Sequence, residues 1–212
     1  MTFFIIGLKL LCAYLLGSLS GSLVLGKLRG VDIRNQGSGN AGGTNALRTQ
    51  GIWFALGVVL IDIGKGYLAC TLVANAVTIL PAMEQSWLLF SCGLMAVLGH
   101  IFPVFFHFRG GKGVATAMGV VTVLLPVAGA WVLLLWFFVL LVSGYVGLAS
   151  ICAAIFLPVS ISLQAQTSSS SLVFGFGVAV LIVWAHRYNI SRLIAGTENR
   201  FEKARWQYWL KH

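Results

Sequence analysis

Seven apolar runs, residues 3–25, 51–79, 86–106, 114–125, 127–143, 145–163 and 172–188, alternate with short polar stretches along this chain. A bilayer core roughly 30 Å thick takes about 20 apolar residues as a helix. The pattern therefore predicts an all-α, polytopic integral membrane protein with seven transmembrane helices. The fourth run is short and ends at Pro126, which reads as a tight turn between neighbouring helices. Gly144 separates the fifth and sixth runs, and Gln164 to Ser171 is a polar, serine-rich loop. Little remains for anything outside the bilayer, so residues 1–212 are expected to form a single membrane-embedded domain. The first run begins at Phe3 with no basic segment ahead of it and runs long, which marks a first span rather than a cleaved signal peptide.

Composition agrees with the pattern. Of 212 residues, 58% are hydrophobic and 9% charged, with a mean hydropathy of +0.93, whereas soluble domains carry roughly 25% charged residues. The net charge of +9 would suit nucleic acid in a soluble protein. Here topology explains it: the loop at 26–50 holds four Lys and Arg, the loop at 107–113 two, and the tail from 187 six, which is twelve of the fourteen. Seven spans put those three segments on one face, and the opposite loops hold Glu84 and no cation. Basic residues collect in cytoplasmic loops, so the N-terminus is expected outside and the C-terminus in the cytoplasm. The tail mixes Arg200, Lys203, Arg205 and Lys211 with Phe201, Trp206, Tyr208 and Trp209 and reads as an interfacial segment touching anionic headgroups. Cys12, Cys70, Cys92 and Cys152 all lie in apolar runs, with no pair at metal-binding spacing, and read as small packing residues.

The same face carries three polar clusters. In Ser38-Gly39-Asn40-Ala41-Gly42-Gly43-Thr44-Asn45, three glycines within five positions let backbone N–H groups approach an anion, helped by Ser38, Thr44 and Arg48. A flexible loop would explain the glycines alone, but it does not require Asn40, Asn45 and Arg48 beside them. The second cluster runs from Gly99-His100 through Arg109-Gly110-Gly111-Lys112-Gly113. It is not a Walker loop, because Gly113 follows the lysine. A phosphate there would still meet Lys112 and a helix N-terminus together, although a basic topogenic loop has the same composition. In the third, His186-Arg187-Tyr188-Asn189-Ile190 with Arg192, a helix continuing past the last span would keep His186, Asn189 and Arg192 near one face. His186 either orients a hydroxyl or serves only to cap helix ends.

Asp62 and Lys65 form an i,i+3 pair inside the second run, with Asp62 roughly 17 Å from its start at about 1.5 Å per residue. Isolated charges at that depth cost about 2.5–3.5 kcal/mol each, so a structural pair is the favoured reading over a catalytic one. No H-x-x-x-x-D, G-x-S-x-G or H-E-x-x-H pattern and no acidic magnesium cluster occurs in the chain. From residue chemistry alone the chain is a membrane protein that handles a phosphorylated substrate.

The three clusters, in this order and on one face, resemble the motifs of the bacterial PlsY family, the acyl-phosphate-dependent glycerol-3-phosphate acyltransferases. The matching residues are Ser38-Gly39-Asn40 with Thr44-Asn45 and Arg48, Gly99-His100 to Thr116, and His186-Arg187, Asn189-Ile190, Arg192-Leu193 and Gly196-Thr197-Glu198. Ala41 stands where the family usually has proline or glycine, Gly43 where alanine is common and Arg109 where lysine is common. The resemblance implies transfer of a fatty acyl group from acyl phosphate to the 1-hydroxyl of glycerol 3-phosphate, giving lysophosphatidic acid and inorganic phosphate. It implies independence from acyl-CoA, no cofactor and no metal. The partners it implies are glycerol 3-phosphate, a long-chain acyl phosphate and bilayer lipids, with no nucleic acid and a state compatible with a monomer, in the bacterial inner membrane.

On this reading the catalytic set is Lys112, Ser38, Arg48, His186 and Asn189. The substrate- and phosphate-binding set is Gly39, Asn40, Gly42, Gly43, Thr44, Asn45, Gly110, Gly111, Ser143 and Arg192, with a substrate phosphate oxygen taking the hydroxyl proton. Alternative readings are a transporter of a phosphorylated solute, a lipid-binding scaffold, or an enzyme using acyl-CoA.

Overall fold

Apolar runs in hydrocarbon must pair every backbone N–H and C=O within themselves, and the helix does this locally. The computed structural model describes residues 2–76, 81–165 and 167–209, without the side chains of Lys203, Gln207 and Trp209. The end of the expected second span (77–79), Gln166 of the polar loop and Lys211 of the tail lie outside the described residues. Among the described residues all regular structure is helical. The chain divides into two compact units, Met1–Leu125 and Pro126–His212.

The first unit holds α1 (Thr2–Gly17), α2 (Gly21–Leu28), α3 (Gly43–Gln50), α4 (Ile52–Leu68), α5 (Ala82–Ile101) and α6 (Val114–Leu124). The expected continuous span 3–25 is broken: α1 and α2 meet at a 53° bend. The break is specified from α4. Asp62 Oδ1 accepts the Gly21 N–H at 3.0 Å, and Lys65 Nζ donates to the Leu19 carbonyl at 3.2 Å. Backbone groups freed by the break thus find charged partners 41 and 46 positions away. Lys9, the other cation in an apolar run, is buried and donates to the Ala74 carbonyl at 2.6 Å.

Glycines set how closely these helices approach. A methyl on Gly17 would collide with the Ala96 carbonyl, and one on Gly99 with the Tyr14 carbonyl, where α1 crosses α5. Likewise, Gly66 faces the Thr116 carbonyl and Gly119 the Ile63 carbonyl, where α4 crosses α6. Small residues at such crossings let backbones touch. Gly66→Ala is therefore expected to destabilise the protein by about 1–3 kcal/mol. Gly64→Ala, whose methyl would meet nothing within 4 Å, should leave stability unchanged or raise it. Thermal unfolding of the two variants in one detergent measures the difference.

The second unit holds α7 (Pro126–Ser143), α8 (Val146–Ser162), α9 (Ser169–Ala185), α10 (Arg187–Ile194) and a terminal turn, α11 (Trp206–Trp209). Pro126 opens α7, where its missing N–H costs nothing, and Gly144 makes the α7–α8 corner with φ 77°. The last apolar helix starts at Ser169, three residues before the expected 172, because Ser168 and Ser171 cap each other's backbone N–H at 3.1 and 3.2 Å. The expected helix through His186 to Arg192 is not continuous. It bends by 57° between α9 and α10, and His186 is the hinge.

Among the described residues, three helices are long and apolar enough to cross a membrane: Ile52–Val73, Ala82–Phe106 and Pro126–Ser143. Counting the bent pairs α1–α2 and α9–α10 as single spans gives five, and Val114–Leu124 and Val146–Ser162 are shorter apolar helices.

Candidate active site

In the first unit the glycine-rich segment is wound around one side chain. Asn45, in the first turn of α3, is 1% exposed. Its Oδ1 accepts the Ser38 N–H at 2.9 Å, and its Nδ2 donates to the Ile33 and Gln36 carbonyls, each at 3.0 Å. Gly37, at φ 56°, passes so close that a methyl would collide with Asn45 Oδ1, and Gly39 continues the turn at φ 72°. Asn45 is thus the strut of the loop, and its amide is spent on backbone. Beneath lies an apolar floor of Ile33, Ala46, Phe54, Ala55 and Val58. Above it, Ser38 and Gly39 are exposed, and no side chain caps the N-terminus of α3 at Gly42. Gly42, Gly43 and Thr44 follow in order, and Arg48 lies exposed one turn beyond Thr44 on the same face.

The second cluster folds back on the end of α5. Tyr14 donates its hydroxyl to the Phe102 carbonyl at 2.7 Å. The Gly110 and Gly111 N–H groups donate to the Ile101 and His100 carbonyls, each at 3.2 Å. Between these anchors His107 and Phe108 both adopt φ 58°, a left-handed conformation that costs roughly 1–2 kcal/mol per non-glycine residue. A methyl on Gly111 would collide with the Ala41 carbonyl and with His100 Nε2. The two loops therefore touch backbone to backbone at Ala41 and Gly111. Half-buried Lys112 comes next, and Gly113, at φ 81°, leads into α6.

Under that contact lies a buried charge cluster that sequence reasoning reached only in part. An ammonium can only donate. The three protons of Lys65 go to Asp62 Oδ1 at 3.0 Å, His100 Nδ1 at 2.8 Å and the Leu19 carbonyl. His100 Nδ1 also lies 3.3 Å from Asp62 Oδ1, and the Nε2 edge of the ring faces Gly111. The pair expected to be structural is a triad, and its third member was legible only as part of the Gly99-His100 motif.

Arg34 is one of the four cations of the loop at 26–50. It forms a bidentate pair with Asp32, at 2.7 Å from Nη2 and 3.0–3.1 Å from Nε. Its hydrogen bonds hold the Asp32 carboxyl below the ordinary carboxylate range.

The second unit carries the third cluster. His186 is buried, with Nδ1 2.8 Å from the Ile182 carbonyl. A carbonyl only accepts, so Nδ1 bears the proton, and Nε2 is the acceptor of the neutral ring. Asn189 lies against Gly147 and donates to Glu198 Oε1 at 2.8 Å, while Arg192 Nε donates to Oε2 at 2.7 Å. Glu198, its side chain 6% exposed, orients both. It belongs to the third matching motif, and its position after a glycine turn gives no sign of that role.

Ser143 spends its hydroxyl on the α7–α8 corner, donating to the Val139 carbonyl at 2.6 Å and accepting the Tyr145 N–H at 3.1 Å. The chain beyond α10 returns to this corner. Arg200 Nε donates to the Ser143 carbonyl at 2.9 Å, its guanidinium stacks 5.2 Å from the Tyr145 ring, and the Phe201 N–H bonds the Gly144 carbonyl at 2.8 Å. Two cations of the expected headgroup-binding tail, Arg200 and Arg205, also pair with Glu202.

Residues 7–196 match the model of the family described as glycerol-3-phosphate acyltransferase. Relatives bearing that name include proteins from Chlorobaculum tepidum, 40% identical over 91% of this chain and 95% of that protein, and from Aquifex aeolicus, 42% identical over 89% and 95%. One from Salinibacter ruber is 43% identical over 90% of each. A crystal structure of PlsY (YgiH), an integral membrane glycerol 3-phosphate acyltransferase, in its glycerol 3-phosphate form superposes with a TM-score of 0.85 at 40% identity, covering 92% of this chain and 95% of that one. The lysophosphatidic acid form gives 0.82 at 38% identity, covering 92% and 94%. With its apolar helices and three polar clusters, this integral membrane chain belongs to the glycerol-3-phosphate acyltransferase (PlsY) family.

Proposed function

We propose that the chain transfers a fatty acyl group from a long-chain acyl phosphate to the 1-hydroxyl of sn-glycerol 3-phosphate, releasing lysophosphatidic acid and inorganic phosphate. The observation that carries this reading is the contact of two glycine-rich polar elements within one unit, each suited to an anion. The amide-rich turn of Ser38 to Thr44 meets the Gly110-Gly111-Lys112 segment at Ala41 and Gly111. The solved relatives in glycerol 3-phosphate and lysophosphatidic acid forms supply the acceptor and product of such a transfer.

Phosphate is already a good leaving group, so the protein has mainly to bind charge and orient. The Ser38 hydroxyl and the amides of Asn40, Gly43 and Thr44 hold the donor phosphate, with Lys112 neutralising it as charge builds on the leaving oxygen. Gly39 and Gly42, whose N–H groups donate to the Gln36 and Asn40 carbonyls at 3.0 Å, shape the turn instead of binding the anion directly. Asn45 serves through the loop it braces. Arg48 and Arg192 contribute cations toward glycerol 3-phosphate, and His186 and Asn189 orient its hydroxyl. Ser143 acts by shaping the corner it caps. The hydroxyl oxygen attacks the acyl carbon, the acyl carbon–oxygen bond to phosphate breaks, and a substrate phosphate oxygen takes the proton. No acyl-enzyme forms, and neither coenzyme A, cofactor nor metal takes part. The chain threads seven times through the bacterial cytoplasmic membrane, N-terminus outside, with this chemistry on the cytoplasmic face and no second subunit required.

Gly111→Ala would drive a methyl into Ala41 and His100 and separate the two elements. Its kcat/KM is expected to fall by about 10- to 100-fold in an assay of lysophosphatidic acid, with the far-UV circular dichroism unchanged. Direct transfer is tested by rapid mixing of enzyme with acyl phosphate alone. No phosphate should appear until glycerol 3-phosphate is added; a burst stoichiometric with enzyme would show an acyl-enzyme instead. Uptake of glycerol 3-phosphate into vesicles without any donor would favour the transporter reading.

A further inference from the structure

We propose that Arg34 is a positioning residue for this reaction, a latch that fixes the Lys112 segment against the glycine turn. The proposal rests on the acyl-transfer reading above. The guanidinium is shared between two loops. Nε and Nη2 are taken up by Asp32, which also accepts the Arg34 N–H at 3.0 Å and so closes the turn that opens the first loop. Nη1 is left to reach across the gap in sequence, donating to the Phe106 carbonyl at 3.2 Å and the Arg109 carbonyl at 3.0 Å.

Those two carbonyls flank His107 and Phe108, the only non-glycine residues with positive φ among the described residues. A left-handed pair of this kind persists only when its surroundings hold it. One planar fork gripping the backbone immediately before and immediately after the pair does so. Three residues beyond Arg109 stands Lys112, so the conformation that Arg34 enforces decides where the lysine leaves the segment. The Ala41–Gly111 contact sets the spacing of the two loops, and Arg34 sets the path by which the second arrives there. Lysine cannot replace it, because a point charge lacks the geometry to hold a carboxylate and two carbonyls at once.

The pair is also placed so that its loss should be local. The Arg34 and Asp32 side chains are 25% and 37% exposed, and an ion pair that open to solvent adds little to global stability. The effect should appear in the loop and in turnover, leaving the helices intact.

The test uses the full-length protein in detergent with Arg34→Ala, Arg34→Lys and, as a control for charge, Arg29→Gln, whose guanidinium lies over the Phe54 ring. Hydrogen–deuterium exchange is read over residues 106–113 and over α4–α6, beside acyl transfer from palmitoyl phosphate. Arg34→Ala and Arg34→Lys should exchange faster in 106–113 alone and lose about 10- to 100-fold in kcat/KM. Millimolar guanidinium should restore part of the activity of Arg34→Ala and none of that of Arg34→Lys, and Arg29→Gln should match wild type. Unchanged exchange in 106–113, or exchange raised equally across the helices, would overturn the latch. Wild-type turnover in a folded Arg34→Lys protein would do the same. Because exchange needs no substrate, a wild-type protein that fails to turn over palmitoyl phosphate would count against the acyl-transfer reading, while the loop result still stood by itself.

Discussion

Lys112→Ala is expected to lower turnover by about 100- to 1,000-fold, the scale of losing one preorganised charge at a developing oxyanion. Lys112 follows the Gly110-Gly111 segment, whose backbone is pinned to the end of α5 and pressed against Ala41. Its ammonium is thus carried by a rigid support, and a fixed charge needs no reorganisation when the leaving phosphate gains its electron pair. Arg48→Ala should fall comparably, because Arg48 shares a helical face with Thr44 at the mouth of the glycine turn. Lys112→Arg keeps the charge but not the shape and should retain intermediate activity. All three should unfold within a few degrees of wild type, since neither residue is buried. Near-normal turnover in both alanine variants would remove the basis for assigning phosphate to these loops.

The second large effect concerns the fold. Asp62→Ala should destabilise the protein by about 3–5 kcal/mol, because it leaves a charged partner buried and uncompensated. Lys65 is 3% exposed, and the carboxylate it loses is also the acceptor for the Gly21 N–H at the α1–α2 break. Replacing both charges, as in Asp62→Leu with Lys65→Met, removes the stranded cation and should recover part of that loss. Asp62→Leu, Lys65→Met and the double variant, unfolded thermally in the same detergent, give the coupling. If the double variant were as unstable as the sum of the singles, the cluster would not be the interacting unit described here.

How much of this was legible beforehand follows from the range of each interaction. The apolar runs, the Gly144 corner and the turn at Pro126 are local patterns, and each expected apolar run holds a helix. The breaks are not local. Nothing in Ser18 to Ser20 announces a bend until Asp62 and Lys65, more than forty positions on, are seen to accept and donate to its backbone. The buried pair was recognised as needing partners, but its partners were not legible. Similarly, Asn45 and Ser143 have the chemistry of ligands, and only the structure shows their amide and hydroxyl spent on the corners they hold. Arg34 and Glu198 were hidden for the opposite reason. A cation in a polar loop and an acid after a glycine turn are ordinary there, and their roles depend on which backbone and side chains they face.

The donor of the proposed transfer is acyl phosphate and not a thioester. Purified protein would be given glycerol 3-phosphate with palmitoyl phosphate or with palmitoyl-CoA, in the presence of a chelator, and lysophosphatidic acid and released phosphate followed together. Palmitoyl phosphate should give equal amounts of both products, and palmitoyl-CoA none. Lysophosphatidic acid formed from palmitoyl-CoA, or no product from palmitoyl phosphate with the protein folded, would contradict that assignment.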